Sequence, residues 1–330
     1  TCFHPAHRIW ILGESYNCDE NGELHDDIYS RILLTYRKGF EPINGIAPTS
    51  DRGWGCMLRC GQMVVAQALM VKHLGREWRL KSDKDKKIYF KILKLFHDNT
   101  NSFYSVHRIA QMGACNGIPV GHRFTPNDIA QVLKDLVVDD RWNNLAIHVA
   151  LDNIVYTNDI IESLFNEQLS EFKFDCKRSV LLFIPLRIGL NKADPIYFKA
   201  LRKTFKMKES LGIIGGRPHR GLYFIGCAGN QLLYLDPHST QRIADLSKFD
   251  DRSYHQEKIY HLKVDEIDPS IALCFLFNSE TEFDDWCVLV RKILIQNQTL
   301  PLFELSSSHF DTNFIKSNIF DPAIKDYDYI

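Results

Sequence analysis

No unbroken apolar run in the chain exceeds seven residues, and the run from Val180 to Leu186 contains Pro185. A membrane-spanning helix needs about 20, so none is expected. A charge of one sign is also missing. Forty lysines and arginines face 41 aspartates and glutamates, which leaves no global field to draw the chain to nucleic acid or to an anionic membrane. Nine cysteines lie scattered at positions 2, 18, 56, 60, 115, 176, 227, 274 and 287, without the spacing of a secreted disulfide scaffold. Cys56 and Cys60 could supply two metal ligands from one helix face, but no second close cysteine pair completes a zinc site. The glycine-rich Gly212–Gly216 string lacks the Lys-Ser/Thr ending of a phosphate loop. No internal repeat and no signal-peptide pattern is found, although Thr1 is not a methionine. The expectation is a soluble, cytosolic protein, with no metal or organic cofactor.

Present instead is an ordinary globular composition, 45% hydrophobic and 25% charged over 330 residues, enough for one large core. A short strand is expected over residues 8–13 and an amphipathic helix over 26–38, with Ile28, Ile32, Leu33 and Tyr36 at helical spacing. A loop from Gly39 to Gly55 leads to a helix from Cys56 to Leu74. Residues 88–96 and 105–112 also read as helical, and 113–127 as loop. Strands dominate thereafter: Val180–Leu186, a hairpin of Tyr223–Cys227 and Leu232–Asp236, and Ile271–Phe277, followed by a helix over Phe283–Ile295. Helices first and antiparallel strands later argue an α+β fold.

Cys56 sits where a glycine-flanked turn, Gly53-Trp54-Gly55, enters a helix. A thiol in that first turn faces the positive end of the helix dipole and unpaired backbone N–H groups, both of which favour thiolate. It could equally be a buried apolar thiol. A nucleophile needs a base and an orienting group. Asp236-Pro237-His238 offers both: residues two apart on an extended chain project to one side, and Pro237 keeps the segment extended. By itself the string is also a strand-ending turn with an exposed histidine. Ser50-Asp51 is read as a cap ahead of the Cys56 turn. His25-Asp26 and His97-Asp98 are adjacent pairs expected to point apart.

Three strings taken together are specific: Ser-Asp-x-Gly-Trp-Gly-Cys-Met-Leu-Arg-Cys-Gly-Gln (Ser50–Gln62), Leu-Gly-Ile-Ile-Gly-Gly (Leu211–Gly216) and Tyr-Leu-Asp-Pro-His-Ser-Thr-Gln (Tyr234–Gln241). They resemble the autophagins, the autophagy-related cysteine peptidases that process a ubiquitin-like modifier. Trp10-Ile-Leu-Gly, Thr35-Tyr-Arg-Lys, Tyr104–Gly113, Asp268-Pro-Ser-Ile-Ala and Asp285-Trp-Cys extend the similarity from about Trp10 to Leu305. The resemblance implies a papain-like fold with a small inserted auxiliary lobe, a catalytic domain over 1–310 and a tail over 311–330. It implies Cys56 as nucleophile, Asp236 as orienting acid, His238 as base and Tyr36 as an aid to the oxyanion site. Gly215-Gly216-Arg217-Pro218 would be a lid over the cysteine. Arg123 departs from the family pattern, standing where many relatives carry a tryptophan that packs against the lid, which leaves Phe124 or a weaker clamp to hold it. Trp54 could line a narrow, glycine-selective cleft or be ordinary core.

The implied reaction cuts the modifier precursor after a glycine and releases the modifier from phosphatidylethanolamine. The implied partner is that modifier, met at autophagic membranes only through its conjugate, by a monomeric enzyme that binds no nucleic acid. In the tail, Tyr327 and Ile330 resemble a short modifier-binding motif, and a solvated chain end has the same composition. A modifier-binding paralogue without catalysis, and another thiol acyltransferase or thioesterase, are the alternatives.

Overall fold

The computed structural model describes residues 8–17, 22–45, 48–81, 85–165, 178–248, 250–296 and 298–308. Tyr327 and Ile330 of the expected tail motif lie outside the described residues. The strands are β1 (Ile9–Ile11), β2 (Glu14–Tyr16), β3 (Tyr36–Lys38), β4 (Leu145–Val149), β5 (Ile154–Tyr156), β6 (Ser179–Arg187), β7 (Ser210–Arg217), β8 (Arg220–Ala228), β9 (Gln231–Leu235), β10 (Thr240–Arg242), β11 (Tyr260–Lys263), β12 (Ser270–Phe277) and β13 (Glu304–Ser306). The helices are α1 (Glu23–Tyr29), α2 (Cys56–Leu74), α3 (Lys86–Lys94), α4 (Val106–Cys115), α5 (Pro126–Val137), α6 (Thr157–Leu164), α7 (Phe198–Thr204) and α8 (Glu280–Val290).

A nine-stranded sheet in the order β11-β9-β8-β7-β12-β6-β4, with β1 and β2 attached through β8, forms the middle layer. Its pairs are antiparallel except β4 with β6. Strand alternation divides the core between its two faces. Leu181, Phe183, Ile214, Tyr223 and Ile225 pack with residues of α2 to α5. Val180, Leu182, Ile213, Leu222 and Phe224 pack with residues of α6 to α8. Burial on both faces explains why Val180–Leu186 reads as a continuous apolar run. The α+β expectation therefore holds.

Helix α2 keeps the predicted bounds, yet it is no amphipathic surface helix: every residue from Cys56 to Met70 is buried. Its polar members are therefore paired. Arg59 reaches Asp51 and Asp98, and Gln62 donates to the Tyr104 carbonyl.

Two local expectations are corrected. The helix expected over 26–38 runs only over Glu23–Tyr29, and Tyr36 belongs to β3. Ser30 turns its hydroxyl back on the Asp26 carbonyl, and the chain beyond gains a parallel ladder to β10, so tertiary pairing overrides the helical spacing. The loop expected over 113–127 is shorter at both ends. Helix α4 continues to Cys115, and Pro126 is the first residue of α5, entered through a Thr125–Asp128 capping box. The glycine-rich Gly212–Gly216 string is part of β7, held by burial of Leu211, Ile213 and Ile214 despite poor strand propensity.

Candidate active site

The turn before α2 is shaped by Asp51. Its carbonyl accepts from the Trp54 and Gly55 N–H groups at 3.2 and 2.8 Å. Its carboxylate accepts from the Arg37 backbone N–H and from Arg59 Nε, both at 2.7 Å. Asp51 thus grips β3 and the first turn of α2 together, and the expectation that it caps the helix is corrected: the residue before α2 is Gly55, with no side-chain cap. A Cβ on Gly55 would lie 2.4 Å from Asp51 Oδ2, so the tight packing demands glycine. Arg59 Nη1 lies 2.8 Å from Asp98 Oδ1 and Arg37 Nε 4.0 Å from Asp98 Oδ2. Neither Asp98 oxygen makes a hydrogen bond of ordinary geometry, so charge and a loose hydrogen bond to Arg59 hold this half of the cluster. Burial works against the Arg59 charge, but Asp51 and Asp98 outweigh it and raise its pKa.

Cys56 opens α2 and is 5% exposed. His238 and Asp236 reach it from the segment after β9. As the two-residue spacing predicts, both side chains project to one side: His238 Nδ1 donates to Asp236 Oδ1 at 2.6 Å, and the His238 backbone N–H donates to the same oxygen at 3.0 Å. The carboxylate fixes the tautomer, leaving Nε2 free to act. Nε2 is buried and takes no hydrogen bond of ordinary geometry. The Cys56 thiol nevertheless interacts with the ring by charge and by a loose hydrogen bond, a contact of the kind that tightens when substrate binds. Gln256 holds the segment from behind, accepting from the Asp236 N–H and donating to the Tyr234 carbonyl, both at 3.0 Å.

Tyr36 arrives on β3, whose parallel ladder pairs it with Thr240. Its N–H donates to the Pro237 carbonyl at 2.9 Å, and its ring stands edge-on to His238 with centroids 5.4 Å apart. Sequence spacing placed this tyrosine on a helix. The structure instead puts it beside the thiol, with which its hydroxyl interacts.

Electrostatics separate Cys56 from its neighbours on the chain. Burial pushes its thiol up, but His238, the Gly221 backbone and Tyr36 together outweigh burial and bring the pKa below the ordinary thiol value. Cys60, one turn on, is wholly buried without such donors, and burial and the nearby Cys56 charge drive it well up. Burial lowers His238, yet Asp236 and then Cys56 raise it past the ordinary imidazole value. Burial raises Asp236, and its hydrogen bonds to His238 bring it below the usual carboxylate range. Burial and the Cys56 charge push the Tyr36 phenol up, so it stays protonated and able to donate.

The remaining expected residues surround the thiol. Gly215, Gly216 and Arg217 end β7, Pro218 and His219 form the turn, and Arg220 and Gly221 begin β8. A Cβ on Gly221 would lie 3.3 Å from Cys56 Sγ, so the hairpin tip packs directly on the sulfur. Trp54 is buried, and its Nε1 donates to the Ser50 carbonyl. Arg123 Nε donates to the Gly53 carbonyl at 3.0 Å, tying the loop before α5 to the turn before α2. Phe124 is spent elsewhere: its ring fills the space that a Cβ on Gly113 would occupy. Of the other pairs, His25 Nδ1 stands 4.0 Å from Asp26, and His97 turns to the Ala244 carbonyl while Asp98 joins Arg59. Sequence reasoning missed Arg37, Arg59, Asp98, Gln256, Arg220 and Gly221. Nothing in one sequence pairs buried ions so far apart in the chain.

The sequence profile described as the Peptidase C54 catalytic domain matches residues 21–289. The chain is similar to the cysteine protease ATG4A of Gallus gallus, 42% identical over 328 residues that cover 91% of this chain and 86% of the relative. It is similar to the cysteine protease ATG4B of Xenopus laevis, also 42% identical, over 91% of this chain and 83% of that protein. The cysteine protease ATG4A of Homo sapiens is 40% identical over 91% of this chain and 82% of its own length. The match spans the elements that carry Tyr36, Cys56, Asp236 and His238, and the chain belongs to the autophagin family of cysteine peptidases.

Proposed function

We propose that Cys56, His238 and Asp236 are the triad of a peptidase that cleaves a ubiquitin-like autophagy modifier after a C-terminal glycine and releases it from phosphatidylethanolamine. The observation that carries this reading is the 2.6 Å His238–Asp236 bond, which leaves a buried Nε2 beside a thiol at a helix start. The thiolate adds to the scissile carbonyl, forming the C–S bond and an oxyanion. Tyr36 Oη and the N–H groups of the first turn of α2 supply donors for that charge. Collapse breaks the C–N bond, and the Nε2 proton passes to the leaving amine, a peptide or the lipid headgroup. Water then attacks the thioester, giving its proton to Nε2 as the C–S bond breaks, and the modifier leaves with a free carboxylate.

A glycine substrate suits walls formed by Trp54 and by the hairpin Gly215-Gly216-Arg217-Pro218, which acts as the lid, while Arg123 braces the turn beneath Trp54 through Gly53. The small auxiliary lobe, monomeric state, cytosolic residence and modifier-binding Tyr327 and Ile330 belong to the same proposal. Free thiols at Cys60, Cys227, Cys274 and Cys287 support a reducing compartment. Among the described residues no helix is long and apolar enough to cross a membrane, which suits contact with membranes through the conjugate.

Purified protein mixed with a modifier precursor should yield a product whose intact mass ends at the glycine, and vesicles bearing the lipid conjugate should release the same species. Stable binding without a mass change would leave the non-catalytic alternative, and hydrolysis of thioesters alone would leave the thioesterase.

The pH profile of the cleavage rate should be a bell. The acid limb reports the thiol, moved below its ordinary value, and the alkaline limb reports the imidazolium, moved above about 6.5. Asp236→Asn keeps an acceptor for Nδ1–H but removes the charge that raises His238. Its alkaline limb should fall to lower pH, its acid limb rise, and its maximum drop by about ten- to a hundredfold. Unmoved limbs would take Asp236 out of the triad.

A further inference from the structure

The hairpin tip that covers Cys56 is held at two points by charge. On one side Arg217 Nη2 lies 3.0 Å from Glu266 Oε1, and on the other Arg220 Nη2 lies 2.9 Å from Asp236 Oδ2. The second contact is unusual in its partner. Asp236 already gives Oδ1 to the His238 ring and backbone, and Arg220 takes the other oxygen. Arg220 is paired across the turn with Arg217 and followed by Gly221, the residue on the Cys56 sulfur. With Cys56 5% exposed and Gly221 against its sulfur, this tip restricts access to the thiol, and a peptide needs it to move. Moving the tip carries Arg220 away from Asp236.

We propose that Arg220 is a latch, fastening the cover over Cys56 to the very carboxylate that orients His238, so that uncovering the thiol and releasing Asp236 are a single event. The inference rests on the triad reading above. In the closed state the guanidinium shares the Asp236 charge with the imidazole. In the open state that charge is left to His238 alone, so the base is strengthened as the substrate tail takes the place of the cover. The latch is weak by construction. The Arg220 side chain is 52% exposed, and an ion pair in such a position shifts an equilibrium by about two- to fivefold and is screened by salt.

Iodoacetamide labelling of Cys56, followed by peptide mass analysis, reads the cover without any modifier, so it tests the latch even if the precursor is not cleaved. Raising salt from about 10 mM to about 1 M shortens the screening length from about 30 to 3 Å, and the unaltered protein should label about three times faster. Arg220→Ala should label at low salt about twice as fast as the unaltered protein, with a smaller salt response left by the Arg217–Glu266 pair. Arg220→Lys, which keeps a cation within reach of Asp236, should restore the slower rate. Removing Arg217 as well should abolish the salt response. Equal labelling rates for Arg220→Ala and the unaltered protein at low salt, with equal salt responses, would overturn the proposal. Thermal unfolding of each variant checks that the turn substitution leaves the fold intact. If the folding of Arg220→Ala is impaired, Arg220→Gln takes its place, and equal low-salt rates for that variant and the unaltered protein overturn the latch.

Discussion

Cys56→Ala should lower cleavage of the modifier precursor by at least about 10⁵-fold, a loss of the size seen when a covalent nucleophile is removed from an intact site. Among the described residues no other buried thiol is poised to stand in. Cys60 lies on the same helix, but it is fully buried and its pKa is driven well up. Cys227 is pushed by burial to about 11 and Cys287 to about 12. The substitution removes one sulfur from a position already walled by Gly221, so thermal stability should change by no more than about 1 kcal/mol. Initial rates and an unfolding scan on the same preparation make the test. Appreciable turnover by the alanine variant would sink the assignment, and a collapsed unfolding midpoint would make the rate uninformative, in which case Cys56→Ser replaces it.

Asp51→Ala should have the largest effect on stability, about 3–5 kcal/mol, because it strips a fully buried arginine of its nearest counter-ion. The Arg37 backbone N–H loses its acceptor in the same stroke, which for a buried donor costs about 1–3 kcal/mol. Asp98 still faces Arg59, and this places the expected total toward the lower end of the combined range. Against a typical total stability of about 5–15 kcal/mol, such a loss leaves a protein that is partly unfolded at warm temperatures. Asp51→Asn, which can still accept from Arg37, should cost less. Urea unfolding of the three proteins measures the order. A midpoint for Asp51→Ala within error of the unaltered protein would mean that water or Asp98 fully replaces the lost carboxylate.

These two residues show what can be read from a sequence. Cys56 was legible because its signals are local: glycines fix the turn, and apolar residues at roughly helical spacing with no proline name the helix behind it. Asp236 and His238 were legible for the same reason, since a proline between them sets the backbone that brings them together. The Leu232–Asp236 hairpin strand and the Val180–Leu186 strand carried their own turn chemistry and hydrophobicity. Tyr36 was found by resemblance but placed on the wrong element, because Ile28, Ile32 and Leu33 satisfy a helical period while a parallel ladder from β10 decides the matter. Helix α5 was missed because Pro126 was taken for a loop residue, where it starts the helix. The cluster of Asp51, Arg59, Asp98 and Arg37 had no local signal. Its members are ordinary charged residues until the fold excludes water from them.

The short ladder between β3 and β10 has a mechanical consequence. Through it the Tyr36 phenol, the Asp236 carboxylate and the His238 imidazole ride on one piece of backbone, while the sulfur rides on a helix sealed into the core. Asp51 spans the join, accepting from the Arg37 N–H of β3 and from Arg59 of α2. Sulfur and nitrogen are therefore carried by separate elements whose register one buried carboxylate helps to hold.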